Sequence, residues 1–237
     1  MKSTYTNNQK FKKTILVVTY GRSGSTLLMK ILNSIPSADI KGENSNVLFP
    51  LYQSYQCVKE ALDKKDEDSA LVDHPWYGVD DINLETYLQA LRNIFINEIL
   101  KPKENVRVIG FKEIRYASIP NRQELNKFIF FMKKFFGNEV YILFNKRNLE
   151  DVSNSGWWKN HSKKDVFKQL KPFDDWMMNF HKRYPKFTYL LDYDQYKNNP
   201  LYFKDVFKFL GEEFNQDKIE EIMNKQLIHL QPSSKID

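Results

Sequence analysis

The sequence predicts a single α/β domain, in which helices flank a doubly wound, parallel central sheet. Short apolar segments rich in β-branched residues recur along the chain, and amphipathic helical patterns separate them. A glycine-containing turn joins the first of these segments directly to a helix. Strands that alternate with helices favour parallel pairing with right-handed crossovers. The length of 237 residues is acceptable for one α/β unit, so we expect one domain with flexible ends at residues 1–13 and 231–237.

The first strand is expected at residues 14–19, a nearly continuous apolar run that suits a strand buried on both faces. A turn follows at residues 20–24, and residues 25–33 then form an apolar helix. A strand, a glycine turn and a helix in this order direct backbone N–H groups toward an anion. The segment that starts at Asp39 follows this helix and is expected to form the next strand and its edge loop.

The remaining elements follow from the same patterns. Further strands are predicted at residues 106–111, 139–144 and 187–191, and helices at residues 83–100, 121–136 and 200–210. Asn83 is placed to cap its helix, and Gly137 and Gly211 are placed to end theirs. Residues 47–81 show the least regular pattern, and we expect them to form a mobile wall over a site.

Composition and charge exclude several classes of protein. The net charge of +6 favours an anionic ligand, but it is too small to indicate nucleic-acid binding. The single cysteine, Cys57, rules out a disulfide framework and is expected to be a buried thiol, and the four histidines are too dispersed for a metal site. No apolar run approaches the roughly 18 residues of a membrane span. We therefore expect a cytoplasmic protein with no transmembrane segment.

The turn from Gly21 to Thr26 is the most informative stretch of the chain. Its glycines allow close approach of an anion, Arg22 adds a fixed cation, and Ser25 and Thr26 add hydroxyl donors at a helix N-terminus. It is not a Walker A loop, because no lysine follows Gly24. Taken alone, it is also compatible with a simple turn that caps a helix.

Residues 17–28, with the sequence VVTYGRSGSTLL, resemble the 5′-phosphosulfate loop of sulfotransferases that use 3′-phosphoadenosine 5′-phosphosulfate (PAPS). The resemblance implies a sulfotransferase fold related to that of P-loop NTPases, with PAPS as cofactor and 3′,5′-adenosine bisphosphate as product. It also implies that no metal is needed. The implied cofactor-binding residues of the loop are Arg22, Ser23, Gly24, Ser25 and Thr26. In the family, the basic residue at the position of Arg22 binds the bridging and sulfonate oxygens.

A second match lies after the strand at residues 139–144. Arg147 ends this strand region and Ser155 follows eight residues later, which resembles the 3′-phosphate site of the family although Leu149 replaces the usual proline. Ser153 is the competing hydroxyl. Residues 188–211 resemble a further segment of the family, whose residues contribute to packing more than to the chemistry. Trp157 and Trp158 follow Ser155 and either pack in the core or contact adenine or a sugar ring.

Glu43 is the candidate base that removes the proton of the acceptor. Its segment, Gly-Glu-Asn, resembles an element of tyrosylprotein-type and many bacterial sulfotransferases, in which Asn44 aligns with the glutamate usually assigned as base. His74 is the alternative, since cytosolic sulfotransferases use a histidine. Lys112, just past an apolar strand, is the candidate second catalytic cation alongside Arg22. Its neighbour Glu113 is expected either to pair with Arg115 or to line the acceptor pocket.

The leading hypothesis is a PAPS-dependent sulfotransferase that acts on a hydroxyl of a carbohydrate, lipid-linked or small-molecule acceptor. Transfer would require the acceptor oxygen to be held in line with sulfur. A nucleotide-dependent kinase with a degenerate phosphate loop and a non-enzymatic basic module that binds anionic glycans are the alternatives. The sequence names neither the acceptor nor the oligomeric state.

Overall fold

The computed structural model describes residues 11–119, 121–137 and 139–225. Within them, five parallel strands form one sheet in the order β2-β3-β1-β4-β5. The strands are β1 (Lys13–Val18), β2 (Ala38–Lys41), β3 (Val108–Glu113), β4 (Glu139–Lys146) and β5 (Thr188–Asp192). The helices are α1 (Ser25–Leu32), α2 (Leu48–Leu62), α3 (Leu84–Ile94), α4 (Arg122–Phe136), α5 (Leu149–Ser153), α6 (Lys163–Arg183), α7 (Tyr193–Tyr196), α8 (Phe203–Leu210) and α9 (Gln216–Asn224). This architecture confirms the predicted α/β class.

The sheet is covered on both faces. Strand β1 lies in its centre between β3 and β4, and all six of its residues are buried. Ile15 and Val17 pack on the face that carries α1, α8 and α9. Leu16 and Val18 pack on the opposite face, which is rich in phenylalanine and carries α2, α3, α4 and α6. Successive side chains of a strand point to opposite faces, so a continuous apolar run is what a strand with two cores requires.

The predicted strands and most of the helix signals are confirmed. Asn83 and Asn121 accept hydrogen bonds from the first turns of α3 and α4, as N-caps do. Gly137 and Gly211 end α4 and α8 in the left-handed conformation. The helix predicted at residues 83–100 is an α-helix only as far as Ile94, and a π-helical segment, Phe95–Leu100, completes it.

Residues 47–81 are more regular than predicted, because α2 occupies 15 of them. Leu48, Tyr52 and Tyr55 are the buried residues of this helix, at positions i, i+4 and i+7. Its buried face therefore relies on two tyrosines rather than on aliphatic residues, which weakens the apolar pattern. Cys57 lies on the exposed side of α2, so the expectation of a buried thiol was wrong.

The ordered part of the chain begins before residue 14, where the predicted flexible end stops. Phe11 is buried in the core, and Lys13 starts β1 with its ammonium paired to Glu212. The expectation of flexibility is therefore wrong for residues 11–13. Residues 1–10 and 231–237 lie outside the described residues. No helix in the described part of the chain is long and apolar enough to cross a membrane.

Candidate functional site

The carboxyl ends of the parallel strands meet at one edge of the sheet, where ligands bind in open α/β folds. A cavity of about 470 Å³ lies at this edge. Seven of the nine predicted site residues line it, namely Arg22, Gly24, Ser25, Thr26, Glu43, Lys112 and Arg147. The other two, Ser23 and Ser155, lie outside its wall. The strand order thus brings together residues from four separate segments of the chain.

Side-chain hydrogen bonds to its carbonyl oxygens hold the loop between β1 and α1. The carbonyl oxygens of residues 21, 22 and 23 accept hydrogen bonds from the side chains of Trp158, Arg147 and Asn145, at 3.1, 3.0 and 2.9 Å. Ser23 is fully buried, and its hydroxyl accepts a bond of 2.7 Å from Thr19. The carbonyls of residues 21–23 are therefore satisfied. Ser25 and Thr26, whose N–H groups precede the first hydrogen bonds of α1, line the cavity.

Two aromatic rings lie directly against the two glycines of the loop. A Cβ atom on Gly21 would fall 2.1 Å from Cζ2 of Trp157, and one on Gly24 would fall 2.0 Å from Cδ2 of Tyr193. Gly24 also has a φ of +84°, which side-chain-bearing residues rarely adopt. Both rings line the cavity, so each glycine is required by a close aromatic contact, and Gly24 is required by its backbone conformation as well.

Arg22 is the loop cation, and it bonds to Ser155. Its Nε donates to the Ser155 hydroxyl at 3.0 Å. Gly156 makes room for it, because a Cβ there would lie 2.8 Å from Cδ of Arg22. Ser155 precedes a 3₁₀-helix rather than standing on α5, while the Ser153 hydroxyl donates to the Glu150 carbonyl at 2.7 Å. Direct contact of Ser155 with a phosphate stays a prediction.

Arg147 follows β4, and the hydroxyl of Tyr20 holds its backbone in place. The Tyr20 hydroxyl accepts a bond of 3.0 Å from the Arg147 N–H and lies 3.1 Å from its carbonyl oxygen. The guanidinium lies over the ring of Tyr193, 5.0 Å from its centroid. Its Nε atom is buried and has no hydrogen-bond partner in the described residues. Arg147 also lines the cavity, so its guanidinium brings a positive charge to the wall.

Lys112 and Glu43 form an ion pair in the cavity wall. The Lys112 side chain is only 8% exposed at the end of β3, whereas that of Glu43 is 40% exposed just beyond β2. Strands β2 and β3 are neighbours, which places the two residues together. The pair sets a carboxylate and an ammonium side by side at the same edge as Arg22 and Arg147.

Glu113 takes neither of the two roles expected of it. It is fully buried, does not line the cavity, and its carboxylate accepts hydrogen bonds from backbone N–H groups, among them that of Arg115. It forms no ion pair with the Arg115 side chain in the described structure.

The alternative base His74 lies 3.4 Å from Asp66 and outside the cavity wall. The described residues contain no group of histidine, cysteine and carboxylate side chains that could hold a metal ion.

The sequence analysis missed several residues of the cavity. Lys197 lies on the wall together with Tyr193, and Lys225 adds a further cation. Lys197 pairs with Asp194 at 2.9 Å, which raises the pKa of Lys197. Asp194 also accepts a bond of 2.7 Å from the N–H of Asn148. The sequence offered one signal for these residues. Tyr193 and Lys197 follow the end of β5, and this strand end lies at the sheet edge that carries the predicted cations.

No protein-family model matches the sequence, and no curated protein matches it. Among solved structures, the chain is similar to the sulfotransferase domain of the Synechococcus PCC 7002 olefin synthase, with a TM-score of 0.58 and 13% identity over 98% of this chain and 85% of that one. It also matches sulfotransferase STF9 from Mycobacterium avium, with a TM-score of 0.47 and 10% identity over 94% and 69%. A match to thymidylate kinase from Candida albicans has a TM-score of 0.40 and 14% identity over 83% and 92%. The first likeness shows a sulfotransferase-like fold.

Proposed function

We propose that this protein is a PAPS-dependent sulfotransferase. The observation that carries the proposal is the composition of the cavity wall. Three buried or half-buried cations (Arg22, Lys112 and Arg147), the N-terminus of α1 and one carboxylate (Glu43) line the same cavity. Cations and helix N–H groups stabilise negative charge, and a carboxylate accepts a proton, so the wall holds the groups that sulfonate transfer requires.

The residues present fit an elongated anionic nucleotide. The β1–α1 loop and α1 offer N–H groups and hydroxyls at one anionic position, and Arg147 offers a guanidinium in the wall at another. Tyr193 presents an aromatic ring in the same wall, and Lys197 adds positive charge beside it. We assign Arg22, Ser25 and Thr26 to the phosphosulfate end and Arg147 and Lys197 to the 3′-phosphate.

The chain's own residues divide the chemical work. Bound there, PAPS would supply the sulfonate group, which moves to the acceptor oxygen as the 5′-phosphate leaves. Glu43 accepts the proton of the acceptor hydroxyl on its second carboxylate oxygen while Lys112 holds the first. Arg22 and Lys112 offset negative charge at the sulfonate and the leaving oxygen. Ile114 and Trp157 contribute apolar surface to the same wall, which limits the entry of water.

Thermal unfolding with 3′,5′-adenosine bisphosphate tests this proposal. Ligand at 100 times its Kd should add about 2.7 kcal/mol of stability. The double variant Arg22→Ala, Arg147→Ala should lose the shift in melting temperature. Lys163→Ala, which removes an exposed cation that pairs with Glu150 outside the cavity, should keep it. No shift in the wild type at millimolar bisphosphate would refute the proposal, and a shift only with ATP and Mg²⁺ would favour a kinase instead.

Sulfonate transfer is the second readout. We expect labelled sulfonate to move from PAPS to a hydroxyl acceptor in a panel of phenols, alcohols and glycosides. Glu43→Gln should lower this rate by about 10²-fold or more, because general-base catalysis typically contributes 10²–10⁴-fold. Its binding of 3′,5′-adenosine bisphosphate should stay close to that of the wild type. Equal rates for the two proteins would remove Glu43 from the mechanism.

A further inference from the structure

Glu113, the last residue of β3, is a buried carboxylate outside the cavity wall. It is 0% exposed, and its two oxygens accept four hydrogen bonds from backbone N–H groups. Oε1 accepts from Ile114 and Arg115, at 2.7 and 3.0 Å. Oε2 accepts from Asn44 and Asn46, at 3.2 and 2.7 Å. Such charge-assisted bonds are stronger than those between neutral groups.

The two bonds from Oε2 reach the loop that carries Glu43. Ser45 and Asn46 in this loop have φ angles of 58° and 57°, in the left-handed region that residues other than glycine seldom occupy. A segment with two such residues in succession persists only where the surrounding structure holds it. Glu113 supplies that hold, because its carboxylate bonds to the N–H groups on either side of Ser45.

Lys112 and Glu113 therefore hold the same loop in two different ways. Lys112 pairs with the carboxylate of Glu43, and Glu113 bonds to the backbone of the next residues. Glu43 itself is exposed and receives no other hydrogen bond or ion pair in the described residues. The position of its carboxylate thus depends on the backbone that Glu113 holds as well as on the pairing with Lys112.

We infer that Glu113 is a positioning residue for Glu43, which it keeps beside Lys112 by binding the backbone of residues 44–46. This inference rests on the proposed function, in which Glu43 is the base. Glu113 does not touch the cavity, so it acts through the loop. A misplacement of about 1 Å in a reacting group can lower a rate by about 10²-fold.

Shortening the Glu113 side chain distinguishes its bonds to the following residues from its bonds to the Glu43 loop. Glu113→Asp withdraws the carboxylate by one carbon–carbon bond, about 1.5 Å. Aspartate can still accept from N–H groups one or two residues ahead in a local turn, so the bonds to Ile114 and Arg115 have a substitute. The shorter side chain offers no substitute for the bonds to the N–H groups of Asn44 and Asn46. We therefore expect a folded protein in which only the Glu43 loop is released.

Two measurements test the inference. Amide hydrogen exchange, without any ligand, should be at least about tenfold faster at residues 44 and 46 in Glu113→Asp, and little changed at residues 114 and 115. In PAPS-dependent transfer to 2-naphthol as a phenol probe, kcat should fall by about 10²-fold. The KM for PAPS and the affinity for 3′,5′-adenosine bisphosphate should stay within about twofold, since the nucleotide-binding residues are untouched.

A double-mutant cycle and a matched control complete the design. Glu43→Gln combined with Glu113→Asp should be no slower than Glu43→Gln alone, because the two residues act as one unit. Glu85→Asp is the same shortening at an exposed position of α3 and should change none of the readouts. If the effects on kcat multiply instead, or if exchange at residues 44 and 46 is unchanged, the inference fails. Absence of bisphosphate binding and transfer in the wild type refutes the proposed function, while hydrogen exchange still decides whether Glu113 holds the loop.

Discussion

Asp174 gives the sharpest prediction about stability. It lies on α6, is 8% exposed, and its Oδ1 atom is buried with no hydrogen-bond partner in the described residues. Burial raises its pKa from 3.8 to about 6, although the neighbouring Tyr20 hydroxyl and the ammonium groups of Lys146 and Lys171 oppose the shift. A carboxylate that must ionise in such a place destabilises the folded protein at neutral pH.

The sign and size of this effect follow from linkage. Between about pH 4 and pH 6, the folded protein binds the Asp174 proton more tightly than the unfolded chain does, so stability falls as the pH rises through this window. A shift of about two pKa units, at 1.36 kcal/mol each, corresponds to about 3 kcal/mol above pH 6. Asp174→Asn is nearly isosteric and remains neutral, so it should stabilise the protein by up to about this amount at pH 7.5 and by about 1 kcal/mol at pH 4.5.

Urea unfolding at both pH values measures the difference directly. In thermal unfolding at pH 7.5, the variant should melt above the wild type by up to about 6–12 °C, from 2–4 °C per kcal/mol for a chain of this size. Asp175→Asn is the matched control, because Asp175 pairs with Lys171 on the same helix but its side chain is 45% exposed. A difference between Asp174→Asn and wild type that does not change with pH would refute the reasoning, as would a less stable variant at pH 7.5.

Two further predictions concern the loop and the cavity. Gly24→Ala should weaken binding of 3′,5′-adenosine bisphosphate by at least about tenfold in isothermal titration calorimetry, because φ is +84° and the new Cβ would displace the ring of Tyr193. Wild-type affinity in this variant would mean that the loop does not bind the ligand. Lys197→Ala should weaken the same binding by about tenfold without changing the melting temperature of the free protein, since Lys197 is a half-exposed cation of the wall. An unchanged Kd would remove Lys197 from the anion site.

The sequence predicted the β1–α1 region well because the signals there are local. The buried strand, the glycine turn and the apolar helix each have their own short pattern, and the structure has all three in order. The cations Lys112 and Arg147 could be placed near the loop because the ends of parallel strands share one edge. Their convergence on one cavity also required the strand order, in which β3 and β4 flank β1.

The errors lie where local patterns are weak or serve two purposes. Helix α2 was missed because it buries Tyr52 and Tyr55, whose polar ends dilute the apolar periodicity. The bond from Arg22 to the Ser155 hydroxyl was not predicted, and contact of Ser155 with a phosphate stays a prediction. Glu113 follows Lys112 directly and was expected either to pair with Arg115 or to line the acceptor pocket, yet the end of β3 turns it into the protein interior. No pattern of neighbouring residues distinguishes these outcomes.

By itself, the sequence determined the fold class, the position of the glycine loop and most of the charged groups at the sheet edge, because residue periodicity and strand ends are properties of short segments. Only the tertiary structure decided which groups contact one another. The bond from Arg22 to Ser155 joins residues 133 positions apart, and the bond from Asn46 to Glu113 joins residues 67 positions apart. Such contacts depend on the order β2-β3-β1-β4-β5, which packing of the whole chain selects and no single segment encodes.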